Sequence, residues 1–156
     1  MAAIAQEVQP VQESGLARNV LVAFDSTAGS RQALAYAAAV AQTSRGRLTI
    51  MTVVPPPPLA QPGLMAIYDP CEVEATMAAA LRHAAETIPQ DVSVTTLVEH
   101  GRPAEQIVRR AREGNHDLVV LGCEGHGLLK GAMAGVCQRV LRNCQAPVLV
   151  IHAAAE

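Results

Sequence analysis

Five short apolar runs, separated by stretches with helical periodicity, limit what this chain can fold into more than any other feature. They are NVLVAF (Asn19 to Phe24), LTIMTVV (Leu48 to Val54), VSVTTLV (Val92 to Val98), DLVVL (Asp117 to Leu121) and PVLVI (Pro147 to Ile151). Near-continuous aliphatic strands suit a sheet covered on both faces, and their alternation with helices predicts parallel pairing, because each parallel return needs a crossover. VSVTTLV mixes apolar and polar residues more than the others do, which predicts an edge or half-exposed strand. The class is therefore α/β, with a five-stranded parallel sheet and helices on both faces.

The segments between these runs carry their own start and stop signals. Ser26 and Thr27 can cap a helix in which Leu34, Ala37, Ala38 and Ala41 recur, and Gly46 closes it. Pro55 to Pro58 stop the second strand and read as a loop spacer or a polyproline recognition segment. Asp69, Pro70 and Glu72 form a helix-start signature, with Val73, Met77, Ala80, Leu81, Ala84 and Ile88 on one face. GRPAEQIVRRA places Ala104, Ile107, Val108 and Ala111 at helical spacing. A fourth helix is expected around Cys137 to Arg142.

Composition narrows the function classes. With 156 residues, 50% of them apolar, the chain fits one domain with a real core. A formal charge of -2 supplies no positive field for nucleic acid or an anionic membrane, and Phe24, Tyr36 and Tyr68 are the whole aromatic set, too few for stacking bases. Residues 1–17 read as a loose tail without the basic and apolar regions of a signal peptide, and no run is long enough to span a membrane. Cys71, Cys123, Cys137 and Cys144 form no CxxC pair, so reduced thiols in a cytoplasm are expected.

Chemistry concentrates in GCEGHGLLKGAMAGVCQ, from Gly122 to Gln138. It reads either as a phosphate cradle, with backbone amides at a helix start facing an anion, or as a close-packed connection without a ligand. In such sheets ligands bind beyond the carboxyl ends of strands, where Asp25 and Gly122 both lie; Asp25 is alternatively a helix cap or loop acid. Cys123, His126 and Cys137 are thiolate and imidazole donors without the spacing of a known zinc site. Cys137 and Cys144, seven apart, read as small buried side chains, while Cys123 in the glycine segment is a candidate oxidant-sensing thiol. No nucleophile elbow, ordered triad or carboxylate pair is present, and His83, His100, His116 and His152 are scattered, so binding is expected rather than turnover.

VLVAFDSTAGSRQAL, GRPAEQIVRRA ahead of DLVVLG, the glycine segment and the closing VLRNCQAPVLVI together resemble the universal stress protein family, over Asn19 to Ile151. The resemblance implies one domain over 18–153 with a Rossmann-like, doubly wound sheet of order 3-2-1-4-5 and four helices. It also implies a homodimer through paired fifth strands, Pro147 to Ile151, an arrangement that would cover an otherwise open apolar edge. Family members that bind ATP space their glycines as Gly122, Gly125 and Gly135 are spaced here. The implied contacts are Ala23, Asp25, Ser26 and Val53, with Gly122, Cys123, Gly125, His126, Gly135, Val136 and Cys137. The implied ligand is ATP or a related adenine nucleotide, with Mg only in its company and any hydrolysis slow and incidental. Val136 stands where those members carry Ser or Thr. One hydrogen bond to a charged group is worth about 1.5 to 3 kcal/mol, so its loss weakens binding by about one to two orders of magnitude. Glu124 adds a repelling carboxylate, which His126 and Lys130 partly offset. The other reading is an interaction dimer of the same family that binds no nucleotide and works through unknown protein partners.

Overall fold

A computed structural model describes residues 17–57, 68–123 and 132–153. In chain order the elements are β1 (Asn19–Ala23), α1 (Ala28–Ser44), β2 (Arg47–Val54), α2 (Pro70–Glu86), β3 (Ser93–His100), α3 (Pro103–Glu113), β4 (Leu118–Cys123), α4 (Ala132–Asn143) and β5 (Val148–His152). All strands pair in parallel, in the order β3-β2-β1-β4-β5. The predicted α/β class, strand order and four helices are therefore those of the structure.

Alternate residues of the central strands feed two separate cores. Val20, Val22, Leu48, Ile50 and Val120 face α1 and α2, packing on Ala33, Leu34, Ala37, Ala41, Leu81 and Ala84. Leu21, Ala23, Met51, Val119 and Leu121 face α3 and α4, packing on Ala104, Ile107, Ala111, Cys137 and Val140. β1 is buried on both faces because it lies between β2 and β4 under helices on either side. On the α3 side Ile107 is almost wholly buried. Removing a side chain of that size from water contributes about 2 to 3 kcal/mol. β3 is the edge strand its mixed pattern predicted, with every residue half-buried or exposed.

Helix ends follow local chemistry. Thr27 caps α1, its Oγ1 accepting from the amide of Ser30 at 3.2 Å. Asp69 caps α2 by accepting from the Cys71 amide at 2.9 Å, with Pro70 opening the helix. α3 starts at Pro103 without a side-chain cap, and Glu105 in its first turn with Arg110 and Arg112 in its last oppose the helix dipole.

The amino ends of β1 and β4 are tied by long-range polar bonds. Asp117 accepts from the amides of Arg18 and Asn19, both at 2.9 Å, and Asn19 Nδ2 donates to the carbonyls of Gly114 at 2.9 Å and Asn115 at 3.2 Å. His116 is buried beside this knot, and desolvation, followed by the charge of Arg110, lowers its pKa from the usual range. It lies at the opposite end of the strands from Asp25 and Gly122.

Most element bounds differ from expectation by a residue or two, β3 running Ser93–His100 where Val92 to Val98 was expected. Gly46 does not supply the left-handed residue that ends α1: Arg45 does, at φ 54, and Gly46 is needed because a Cβ would lie 2.4 Å from the Arg18 carbonyl oxygen. β4 continues through Gly122 and Cys123, which pair in register with Ile151 and His152 of β5. β5 likewise runs to His152. α4 begins at Ala132, five residues before the expected Cys137, so Gly135 and Val136 lie inside the helix. Pro58, Glu124, Gly125, His126 and Lys130 lie outside the described residues. Among the described residues no helix is long and apolar enough to cross a membrane.

Candidate functional site

β1 has β2 on one side and β4 on the other, so the winding reverses there and the carboxyl ends of these strands open beside one another. Ala23, Val53, Cys123, Val136 and Cys137 all meet in the apolar cluster on the α3 and α4 side of this rim. Ala23 and Cys137 are buried in it, while Val53, Cys123 and Val136 are half-buried against it. Five of the residues expected at the site are thus gathered by three strand ends and one helix.

The turn from β1 into α1 supplies the polar side. Asp25 Oδ1 accepts from the amide of Thr27 at 3.1 Å and from its hydroxyl at 2.5 Å, and the Asp25 amide donates to Ser30 Oγ at 3.3 Å. Ser30 Oγ in turn donates to the Thr27 carbonyl at 3.0 Å. Ser26 takes a left-handed φ of 68, which aims the chain from the strand into the capped helix. Asp25 is therefore a turn acid that positions the Thr27 cap, and it stands half-buried at the strand end. Thr52, buried in β2, braces the same turn by donating to the Phe24 carbonyl at 2.9 Å.

Gly122 answers to packing. A Cβ there would lie 2.2 Å from the carbonyl carbon of Gly29 and 2.5 Å from the Ser30 amide, so the first turn of α1 passes directly over β4. Gly29 reciprocates, since its own Cβ would come within 3.2 Å of the Cys123 backbone. Gly135 differs: a Cβ there would meet no described atom within 4 Å, and the residue is exposed. Cys137 Sγ reaches back to the Gly122 carbonyl at 3.9 Å. Burial, followed by the neighbouring Cys123, pushes the Cys137 thiol up to about 11, so it stays protonated.

Sequence reasoning did not single out Gly29, Ser30 or Thr52. The available signal was the pair of small residues one turn after a strand, where a helix crosses the neighbouring strand. The remaining histidines stand apart from the site: His83 and His100 are exposed and face Glu86 at 3.7 Å and Glu74 at 2.9 Å, and His152 is exposed at the end of β5. Among the described residues no three His, Cys, Asp or Glu side chains gather where a metal ion could sit. A cavity of about 570 Å³ lies between α1 and α2 and touches the rim only through Phe24 and Ser26; another of similar size lies between α3 and α4 beneath Arg102, Arg109, Arg112 and Arg139.

The profile of the universal stress protein family matches residues 17–152. A curated relative, the universal stress protein encoded in the QAH/OAS sulfhydrylase 3' region of Thermus aquaticus, is 28% identical over 138 residues, covering 86% of this chain and 98% of its own. A solved universal stress protein in complex with cAMP aligns at TM-score 0.65 and 23% identity, over 88% of this chain and 99% of that one. The universal stress protein of Archaeoglobus fulgidus in complex with dAMP aligns at TM-score 0.57 and 15% identity, over 87% and 98%. At these identities the two structural likenesses are likenesses of fold.

Proposed function

The chain belongs to the universal stress protein family, and from that premise we propose that it is an adenine-nucleotide-binding stress-response module whose phosphate end is weakened. The observation that carries this reading is the convergence of Ala23, Val53, Cys123, Val136 and Cys137 with the Asp25 turn at the point where the sheet reverses. Structural relatives in complex with cAMP and dAMP support the ligand class. ATP or a related adenylate would place its base and ribose against the ends of β1 and β2 and its phosphates toward the start of α4, where a helix's first amides and its dipole favour an anion. Mg would arrive with the phosphates, since the described residues offer it no cluster of their own. The role is binding, with any hydrolysis incidental.

The test begins with denaturing the purified protein and chromatographing the supernatant for released nucleotide. ATP titration by calorimetry follows. Copurified adenylate or saturable binding supports the reading, and neither at millimolar ATP refutes it. Val136→Ser sharpens the question: restoring one hydroxyl to a phosphate oxygen should tighten ATP by about one to two orders of magnitude.

One observation favours the second reading, an interaction dimer that binds no nucleotide: the Val136 side chain packs on the apolar cluster beneath α4. If that orientation is what Val136 serves, the Ser variant loses stability and gains no affinity. Under either reading the assembly is a homodimer. β5 is the last strand of the sheet, its free edge bears Val148, Leu149, Val150 and Ile151, and a second copy adding its own β5 would cover it. Light scattering should report twice the 16.3 kDa chain mass; the single-chain mass at micromolar concentration would refute the dimer.

A further inference from the structure

We infer that Cys123 and Cys137 are an oxidisable thiol pair, Cys123 the thiol that meets a hydroperoxide and Cys137 the resolving thiol, whose disulfide closes residues 124–136 into a ring. The two lie on consecutive elements, Cys123 as the last residue of β4 and Cys137 within α4. Cys137 Sγ is 3.9 Å from the carbonyl of Gly122, the residue before Cys123. Both side chains belong to the same apolar cluster, Cys137 buried and Cys123 half-buried. Their exposure sets the order of events. Cys123, half-buried, is more open to a solute than Cys137, which is buried. The raised pKa of Cys137 keeps its thiolate fraction low, so it does not compete with Cys123 for the oxidant.

The chemistry balances with hydrogen peroxide as the oxidant. The Cys123 sulfur attacks one peroxide oxygen, an S–O bond forms, the O–O bond breaks, and the departing hydroxide takes the Cys123 proton and leaves as water. Cys137 sulfur then attacks the sulfur of the Cys123 sulfenic acid. The S–S bond forms, the S–O bond breaks, and the second hydroxide leaves as water with the Cys137 proton. Two thiols are oxidised by two electrons, one peroxide is reduced to two waters, and a reducing thiol restores the pair. The chemistry does not depend on whether a nucleotide binds.

The full-length chain provides the test. Reduced protein should titrate with four free thiols, and after hydrogen peroxide with two. Trypsin cleaves after Lys130, between the two cysteines, so a non-reducing digest should yield the 113–130 and 131–139 peptides joined, minus the mass of two hydrogens. Cys137→Ala should leave a sulfenic acid at Cys123 that dimedone traps, and Cys123→Ser should leave Cys137 unmodified. A linkage to Cys71 or Cys144, a linkage between two chains, or equal oxidation of all four cysteines overturns the assignment. The wild-type digest decides the matter even where a variant fails to fold.

Discussion

A Cβ at Gly122 would lie 2.2 Å from the backbone of Gly29, whereas a Cβ at Gly135 would meet no described atom within 4 Å. The two glycines close the ends of one spaced motif, yet among the described residues packing requires only the first. Gly122 is buried in β4, where α1 crosses so closely that any side chain would collide with main chain that has no room to yield. Gly135 sits exposed inside α4, where alanine would be the better helix former by about 0.5 to 1 kcal/mol. Among the described residues packing accounts for Gly122 and not for Gly135, and the proposed nucleotide site would give Gly135 its reason.

The largest expected effect is at the packed end. Gly122→Ala should cost about 3 kcal/mol or more, because overpacking against fixed backbone exceeds what side-chain repacking absorbs. Urea unfolding of the variant measures it. A variant that unfolds with the wild type while losing ligand would break the comparison, since both glycines would then serve binding.

Thr27→Ala should cost about 1 kcal/mol by removing the α1 cap. Its hydroxyl accepts from Ser30, next to Gly29, so it fixes the turn that lies over Gly122. Asp25 holds the same threonine through its backbone amide and hydroxyl. A loss well above the ordinary range for a cap would mean that the cap also sets the distance between α1 and β4, and would tie the Asp25 turn to the packing role of Gly122.

How far these features were legible in the sequence depended on where their causes lay. The strands could be read because burial on both faces forces continuous aliphatic runs such as Val20 to Val22 and Val119 to Leu121, and β3 because its exposure leaves Thr95 and Thr96 on view. Asp69 and Pro70 announced α2 because capping is local chemistry. The extension of β4 through Gly122 and Cys123 is set by pairing with Ile151 and His152, distant in the chain, and no local pattern carries it. The start of α4 was hidden because GAMAG has no apolar periodicity and its two glycines suggest a loop, although alanine and methionine favour a helix. Gly46 reads as the close of α1, while its actual constraint is Arg18, far off in sequence. Resemblance to the family carried the strand order; the close packing of Gly122 on Gly29, which Gly135 lacks among the described residues, is set by residues distant in the chain.

The smallest effect on stability is also the most discriminating, because two readings give Gly135→Ala opposite consequences. With no described atom within 4 Å of its Cβ and a place inside α4, alanine here removes backbone freedom from the unfolded chain without a clash among the described residues, so the variant should be more stable by about 0.5 to 1 kcal/mol in urea unfolding. If the backbone at this position approaches a nucleotide phosphate, the added methyl stands in the approach and ATP affinity by calorimetry should fall in that same, more stable protein. Stability and affinity moving apart cannot come from damage to the fold. Raised stability with unchanged ATP binding would instead leave Gly135 without a ligand to explain it, and would favour the dimer that binds no nucleotide.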